Sequence, residues 1–507
     1  MLPIAAVVLT ATAALRGGEY DEQYTLFVTA GVARPVWPTG AFAAGDVRQI
    51  QAGHASFFGI ARDLRSTDVH PPLYFWAVAA WRAIAGNGLF VARLASVAFA
   101  MAALIAIGII AWLTDIPAAL AMALTLGCYG FAYTGSIARG FALAQMLTLS
   151  GVALLLVADQ HGRRDIALLA GLLFGAATFT NYLAAFVAIA SLVWLGLRRT
   201  GWLNGGNDTP ASHLRRSDGN SVWPIAAIGF AVWLPADLWF FLAQRGSRSG
   251  QFPPLHMLPS LARLGQYLAA NVFGGLPLYV EGTARTALGA GLATAFLALT
   301  GLVALRWRHI AQPGPRLLFA MAASAPPIGL LLLGAAFNNM PIELRYIAFA
   351  TPFIGLLLAA CLASLPKQWE LILGASVLAI QSAALVGLMV RPETMQPARA
   401  TAAAAATIAR DGVVLLPRGN DGAAIVGSFA IEAPVALRIL VVDRAESAAQ
   451  IRARIAPYRR VTLALLAQDT ASRATLPTMS AAFATPCWRH VADGFNVIAF
   501  ERICARE

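Results

Sequence analysis

The sequence predicts an all-α polytopic membrane bundle of about eleven transmembrane helices, followed by a small C-terminal α/β domain. Three observations lead there. Of 507 residues, 58% are hydrophobic and only 12% are charged, where a soluble domain carries about a quarter charged. No core hides that much apolar surface, so the bilayer must be the solvent. Apolar runs long enough to span, or nearly so, recur at 2–15, 88–113, 116–134, 140–158, 166–180, 182–197, 222–243, 286–305, 317–337, 346–364 and 369–390. After Arg391 the pattern changes to short β-like runs alternating with helical stretches.

Run 2–15 is short against the roughly 20 residues that cross the hydrocarbon core. It lacks the basic start of a signal peptide, so it reads as a true first span with a few residues missing before Met1. Pro71 to Gly86 decides the topology. It opens with Pro-Pro, contains Arg82 and is too short to cross comfortably. Laid along the outer interface, it puts Arg163/Arg164, Arg198/Arg199, Arg215/Arg216, Arg306/Arg308 and Lys367 on one side, the cytoplasmic one. The N-terminus is then inside, the C-terminus outside, and 16–87, 135–139, 244–285 and 338–345 face out. The formal charge of +12 is thus mostly short-loop arginine and carries no nucleic-acid signature. The Gly/Ser/Asn-rich stretch 201–221 reads as a flexible cytoplasmic connector, and no internal repeat is present.

The C-terminal domain is expected as a helix at 397–410, β-like runs Val413–Leu416 and Leu437–Val442, an amphipathic helix near 446–458, a run Val461–Leu466 and a hairpin from Trp488 to Arg502. This divides the chain into 1–390, including the outer loop 16–87, and 391–507. The Gly-rich Arg418-Gly-Asn-Asp-Gly lacks a phosphate-loop pattern. Cys128 and Cys361 lie in apolar runs as packing residues; Cys487 and Cys504 flank the hairpin and are expected to pair in an oxidising compartment. The four show no metal-ligand spacing.

Two segments carry chemistry. Gly18-Glu19-Tyr20-Asp21-Glu22-Gln23-Tyr24 follows the first span, and adjacent carboxylates there are placed to take a proton from an acceptor hydroxyl. The plainer alternative is a pair of solvated charges at a span end. Asp68-Val69-His70-Pro71-Pro72-Leu73-Tyr74-Phe75 fixes the backbone with two prolines and sets Asp68 and His70 at a helix entrance. Arg82 and Arg93 read as structural. Asp237, in an apolar run beside Pro235, reads equally as a functional acid or as a cap. Trp194, Trp233, Trp239 and Trp307 sit near run ends, as interface tryptophans do.

The acidic pair after the first span, then an outer loop ending in D-x-H-P-P-L-Y-F, resembles bacterial members of the GT-C glycosyltransferase superfamily. The resemblance is to the branch of protein O-mannosyltransferases and lipid A aminoarabinose transferases. Ser136-Ile137-Ala138-Arg139-Gly140-Phe141-Ala142-Leu143 is similar to the family's ARxYAL loop, with Phe141 near the usual Tyr position. Thr180-Asn181-Tyr182-Leu183 is similar to its THYL turn, with Asn181 in place of His. Leu344-Arg345-Tyr346 before Pro352 is similar to its RYLLPxxP segment. The ordered match covers residues 18–352 and leaves the C-terminal domain outside it.

The resemblance implies a GT-C fold and inverting transfer of one sugar from a polyprenyl-phosphate monosaccharide donor. The acceptor hydroxyl would belong to an envelope lipid, lipopolysaccharide, polysaccharide or protein on the periplasmic face of a bacterial inner membrane. It implies Asp21 as general base, with Glu22 orienting the acceptor or holding a divalent cation, whose requirement stays open. Arg139 and Arg345 would meet the donor phosphate, since the guanidinium fork matches phosphate oxygens. His70, Tyr182 and Asp68 complete the donor site. Membrane lipids are the remaining partners. A lipid-linked glycan flippase would want ionisable residues near midplane in broken helices, and an inactive glycan-binding scaffold is the other alternative. Charged residues gathered at the outer boundary favour the enzyme.

Overall fold

The computed structural model describes residues 1–199, 222–245, 252–310, 313–391, 397–409 and 412–504; the connector 201–221, with Arg215 and Arg216, lies outside them. The chain forms two compact units. One contains Met1–Ala14, Asp68–Tyr74 and Arg93–Arg391; the other joins Leu15–Thr67 and Phe75–Ala92 to the chain after Arg391. This differs from the division 1–390 and 391–507, because most of the first loop belongs with the C-terminal part.

In the first unit, apolar composition becomes membrane helix. Five helices are long and apolar enough to cross: Leu89–Leu113, Phe141–His161, Gly282–His309, Gly314–Phe337 and Lys367–Val390. The 25 residues of Leu89–Leu113 reach about 37 Å at 1.5 Å per residue, beyond the roughly 30 Å hydrocarbon core. Two bent pairs raise the number to seven: Ala118–Leu126 with Tyr129–Gly135, bent by 73°, and Val222–Ala231 with Leu234–Gln244, bent by 42°. The other expected spans fall on the shorter helices Leu2–Leu15, Arg164–Thr178, Ala184–Arg198 and Thr351–Ala363. Length and composition therefore support five to seven spans, fewer than eleven.

The sharper bend has an identifiable chemistry. Backbone groups freed inside a bilayer need new partners. Gln381 donates to the Leu124 and Val272 carbonyls at 3.0 and 2.8 Å, and the Asn271 amide oxygen accepts the Gly130 N–H at 2.6 Å. Elsewhere, small residues bring backbones together, as in membrane helix pairs. A Cβ on Gly229 would meet the Leu168 carbonyl at 2.5 Å, and one on Gly171 would press on Ala226 O. Helices Arg164–Thr178 and Val222–Ala231 are thus in glycine-mediated contact.

The second unit is an α/β sandwich around a six-stranded sheet. Its strands are β1 (Phe42–Ala43), β2 (Val413–Pro417), β3 (Arg438–Val442), β4 (Arg460–Ala464), β5 (Trp488–Gly494) and β6 (Val497–Arg502), in the order β1-β3-β2-β4-β6-β5. The β2 contacts with β3 and β4 are parallel and the other three pairings are antiparallel. β2 is buried at every residue, as a central parallel strand covered on both faces must be. Val414 and Leu416 join one core with Ile425 and Phe429 of helix Ala424–Glu432, and with Phe27, Phe42 and Val47 of the first loop. Val413 and Leu415 face another, with Ile451, Ile455 and Met479.

The first loop is therefore part of this domain: β1 adds to the sheet edge, and Ala44 and Gly45 donate to the Leu437 and Val435 carbonyls. Cys487 and Cys504 form a disulfide with Cα atoms 4.9 Å apart, while Cys128 and Cys361 are buried. Arg82 is buried and donates to the Leu26 and Gln51 carbonyls and to Thr29. In the first unit Arg93 donates to the Ala13 carbonyl. Both are structural here.

Candidate active site

Five of the seven residues singled out lie in the first unit, and three of those make one buried cluster. Asp68 ends the turn after helix Phe57–Thr67 and accepts the Val69 N–H at 2.6 Å. Pro71 and Pro72 lead into helix Leu73–Ala85. Gly140 lets the following turn approach closely, since a Cβ there would touch Thr180 O and the Tyr74 side chain at 3.2 and 3.3 Å. Arg139, one residue earlier, is thereby set against the Asp68–His70 turn. His70 Nδ1 is 3.0 Å from Asp68 Oδ1 and 3.1 Å from Arg139 Nη2, and Arg139 Nη1 is 3.7 Å from Asp68 Oδ2. Burial alone would raise the Asp68 carboxyl. The adjacent His70 and Arg139 charges, with hydrogen bonds from His70 and Val69, outweigh it and hold Asp68 well below the usual carboxylate range. Asp68 is therefore an anion that orients a cation.

Tyr182 joins through one intermediary. Its hydroxyl donates to Gln244 Oε1 at 3.0 Å, and Gln244 Nε2 donates to the His70 carbonyl at 3.1 Å. Asn181, which departs from the family pattern, accepts the Leu183 N–H at 3.1 Å and so caps its own turn. These residues line a cavity of about 260 Å³ whose polar wall is His70, Asn181, Tyr182, Gln244, Arg245 and Asn339. Its apolar wall includes Leu183, Phe241, Phe252, Leu330, Leu333 and Phe337. The Asn339 side-chain amide oxygen, Oδ1, is buried and has no hydrogen-bond partner among the described residues. A headgroup that donates or bridges through water, attached to an apolar chain, matches both walls.

Arg345 is placed differently. It pairs with Glu343 at 2.6 Å and lies over the Tyr346 ring at 5.4 Å. Its neighbour Tyr346 lines the cavity and stacks on Phe141, with centroids 6.4 Å apart. Phe141, the other departure from the family pattern, is thus a packing partner for the late segment. Asp237 accepts from Thr178 at 2.6 Å; its other oxygen is buried without a hydrogen-bond partner among the described residues.

Asp21 and Glu22 belong to the second unit. Asp21 is half-buried at the N-cap of helix Glu22–Thr29, and its side chain makes no capping bond. Glu22 is fully buried and accepts the Glu19 N–H at 3.0 Å, which makes it a brace for the turn. Sequence reasoning passed over Glu19, which is buried in an ion pair with buried Arg16. It also passed over Gln244 and Asn339. An i,i+3 Arg–Glu spacing could have signalled the first; nothing local signals the others. Among the described residues, no group of three or more His, Cys, Asp or Glu side chains is arranged to hold a metal ion.

No protein-family model matches the sequence, and no curated protein matches it. Solved structures do. The structure of ArnT from Cupriavidus metallidurans bound to undecaprenyl phosphate matches with a TM-score of 0.55 at 12% identity, over 98% of this chain and 96% of that one. The same protein in the apo state matches with a TM-score of 0.48 at 15% identity, over 97% of each chain. The archaeal oligosaccharyltransferase AglB from Archaeoglobus fulgidus, in complex with an inhibitory peptide and a dolichol-phosphate, gives 0.45 at 11% identity, over 92% of this chain and 69% of that one.

Proposed function

The chain has the GT-C fold, and from that premise we propose that it is an inverting glycosyltransferase. It moves a single sugar from a polyprenyl-phosphate donor to an acceptor hydroxyl on the periplasmic face of a bacterial inner membrane. The supporting observation is the cavity with polar and apolar walls lined by His70, whose ring also contacts buried Arg139 and Asp68. The structural neighbour with the highest TM-score of those above was solved with undecaprenyl phosphate, a ligand of this amphipathic kind.

In this reading the isoprenoid tail lies along the apolar wall and the phosphate meets Arg139, with His70 and Tyr182 as hydrogen-bond partners. Asp68 repels phosphate and so serves by aiming Arg139. Arg345 contributes after exchanging Glu343 for the phosphate. The acceptor oxygen attacks the anomeric carbon as the bond to phosphate oxygen breaks. The acceptor's proton passes to Asp21, and the growing charge on the leaving polyprenyl phosphate is met by Arg139. Pro71–Gly86 lies along the outer interface, and the eleven apolar runs, each occupied by a helix or a bent pair, all cross.

The test uses full-length protein in lipid nanodiscs with undecaprenyl-phosphate hexose and pentose probes. Asp21→Asn keeps the probe's binding and lowers turnover by about 10²–10⁴-fold, the usual contribution of a general base. Arg139→Ala loses binding and turnover together, because phosphate is charged in both ground and transition states. Normal turnover by Asp21→Asn would remove Asp21 from the chemistry. A flippase reading draws on one observation, the buried Asp237 in a bent helix pair. It requires probe movement across vesicles without sugar transfer.

A further inference from the structure

In the second unit the chain leaves β2 for its neighbour β3, then crosses back to β4 on the other side of β2. At such a reversal in an open α/β sheet, the loops beyond the strands' carboxyl ends frame the crevice where ligands bind. Here those loops are 418–423 after β2 and 465–469 after β4. Their polar groups are engaged by the chain's own first loop. The Tyr20 hydroxyl donates to Asp469 Oδ2 at 3.0 Å, and the Asn420 N–H donates to the same oxygen at 3.0 Å. Arg34 pairs with Asp421 at 2.8 Å, and the Trp37 indole donates to the Gly422 carbonyl at 2.9 Å. Asp469 Oδ1 meanwhile accepts the Ser472 N–H at 2.7 Å, capping helix Thr470–Ala481. One carboxylate thus joins a helix start, a strand-end loop and Tyr20.

Further contacts lie on both sides of Asp21. Before it, the Gly18 N–H donates to Glu432 at 2.6 Å. Arg399 pairs with the same Glu432 at 2.8 Å and donates to the Leu15 and Arg16 carbonyls. A Cβ on Gly18 would lie 2.6 Å from Ile431 Cγ2, so the chain at Gly18 runs hard against helix Ala424–Glu432. After it, Gln23 sits where a Cβ on Gly427 would be 2.8 Å away, and Gln51 donates to Gln23 at 2.9 Å.

We propose that the C-terminal domain has given its ligand crevice over to holding the Gly18–Gln23 segment, and that Asp469, acting through Tyr20, is a positioning residue for Asp21. The proposal rests on the reading of Asp21 as base. A base displaced by about 1 Å loses on the order of 10²-fold in rate, so a loop carrying one needs an external frame. Tyr20 stays a donor, because burial and the Asp469 charge push its phenol above the usual range.

The test compares Tyr20→Phe, Asp469→Asn, Asp21→Asn and the Tyr20→Phe/Asp21→Asn pair in full-length protein in nanodiscs. Two readouts are taken: amide hydrogen exchange, and turnover of an undecaprenyl-phosphate hexose or pentose. Tyr20→Phe should raise exchange across 18–24 at least tenfold and leave 470–481 protected. Asparagine remains a good N-cap, so Asp469→Asn should do the same. With either change kcat falls about tenfold while KM for the donor holds, and Tyr20→Phe costs nothing further when Asp21 is already Asn. Unchanged exchange over 18–24 in both single variants overturns the proposal, whatever the turnover. Loosened exchange with additive losses in the pair makes Tyr20 a merely structural residue and also overturns it. Normal turnover by Asp21→Asn defeats the base assignment alone, and the exchange data then report separately on whether the domain holds the segment.

Discussion

Arg139 combines a structural role with the donor-binding role proposed for it. It is buried against Asp68 and His70, and deleting one partner of a buried pair costs about 3–5 kcal/mol because the other charge is stranded. Arg139→Ala should therefore lower thermal stability, and adding Asp68→Asn should restore most of it without restoring donor binding. Thermal unfolding and probe binding on the two variants separate these roles. The pH dependence follows from the sign of the Asp68 shift. Its folded carboxyl is depressed, so its contribution is fully present above the unfolded value of about 3.9. That contribution disappears only as pH falls through the lower folded value. The stability gap between wild type and Asp68→Asn should thus still be present at pH 5; a gap already closed there would contradict the ion pair. Asp68, His70 and Arg139 were legible because their neighbours, Pro-Pro and a short outer turn, are local signals. Gln244 was not, since it meets His70 only through a contact 174 residues apart in the chain.

Helices reveal themselves in sequence when one face differs from the other. Ala424–Glu432 is buried at seven consecutive positions, leaving no periodicity to read, and helix Thr470–Ala481 is masked by its internal Pro477. β1 is two residues long and exists as a strand only because the β3 edge is there to pair with it. The membrane helices were legible as apolar runs, but a run does not report a bend, and the 73° turn depends on Gln381 and Asn271 from distant helices. Helix packing gives the sharpest element-scale expectation. On Gly171 any Cβ collides with backbone, so Gly171→Ala must push two helices apart, at an overpacking cost of about 1–3 kcal/mol. Gly289, with open space around its Cβ position, is the control. A lower unfolding temperature for Gly171→Ala alone checks it; equal values would mean that the helices are not in glycine contact.

At the scale of the whole molecule, sidedness is the open test of the topology. Asn87 is exposed and donates to the Ala52 carbonyl, and the arginine distribution predicts that it faces out. Asn87→Cys should react with a membrane-impermeant maleimide added from the periplasmic side of intact spheroplasts, and reaction only after lysis would invert the scheme. Composition told where the chain enters lipid. It did not tell that the first loop completes the last domain, because that partnership links Tyr20 to Asp469, 449 residues apart, with no pattern shared between them. The same separation bears on biogenesis. A ribosome releases the Gly18–Gln23 segment well before its holder, which follows the membrane helices in between. Domains generally fold as units during synthesis, yet this one waits for segments on both sides of the membrane helices in the chain. Throughout translation the nascent loop lacks its partner, so a chain stalled before β2 would carry Asp21 without the frame that aims it. Under the proposed function, activity would then begin only after Asp469 has been made, and a stop codon before it would abolish that activity.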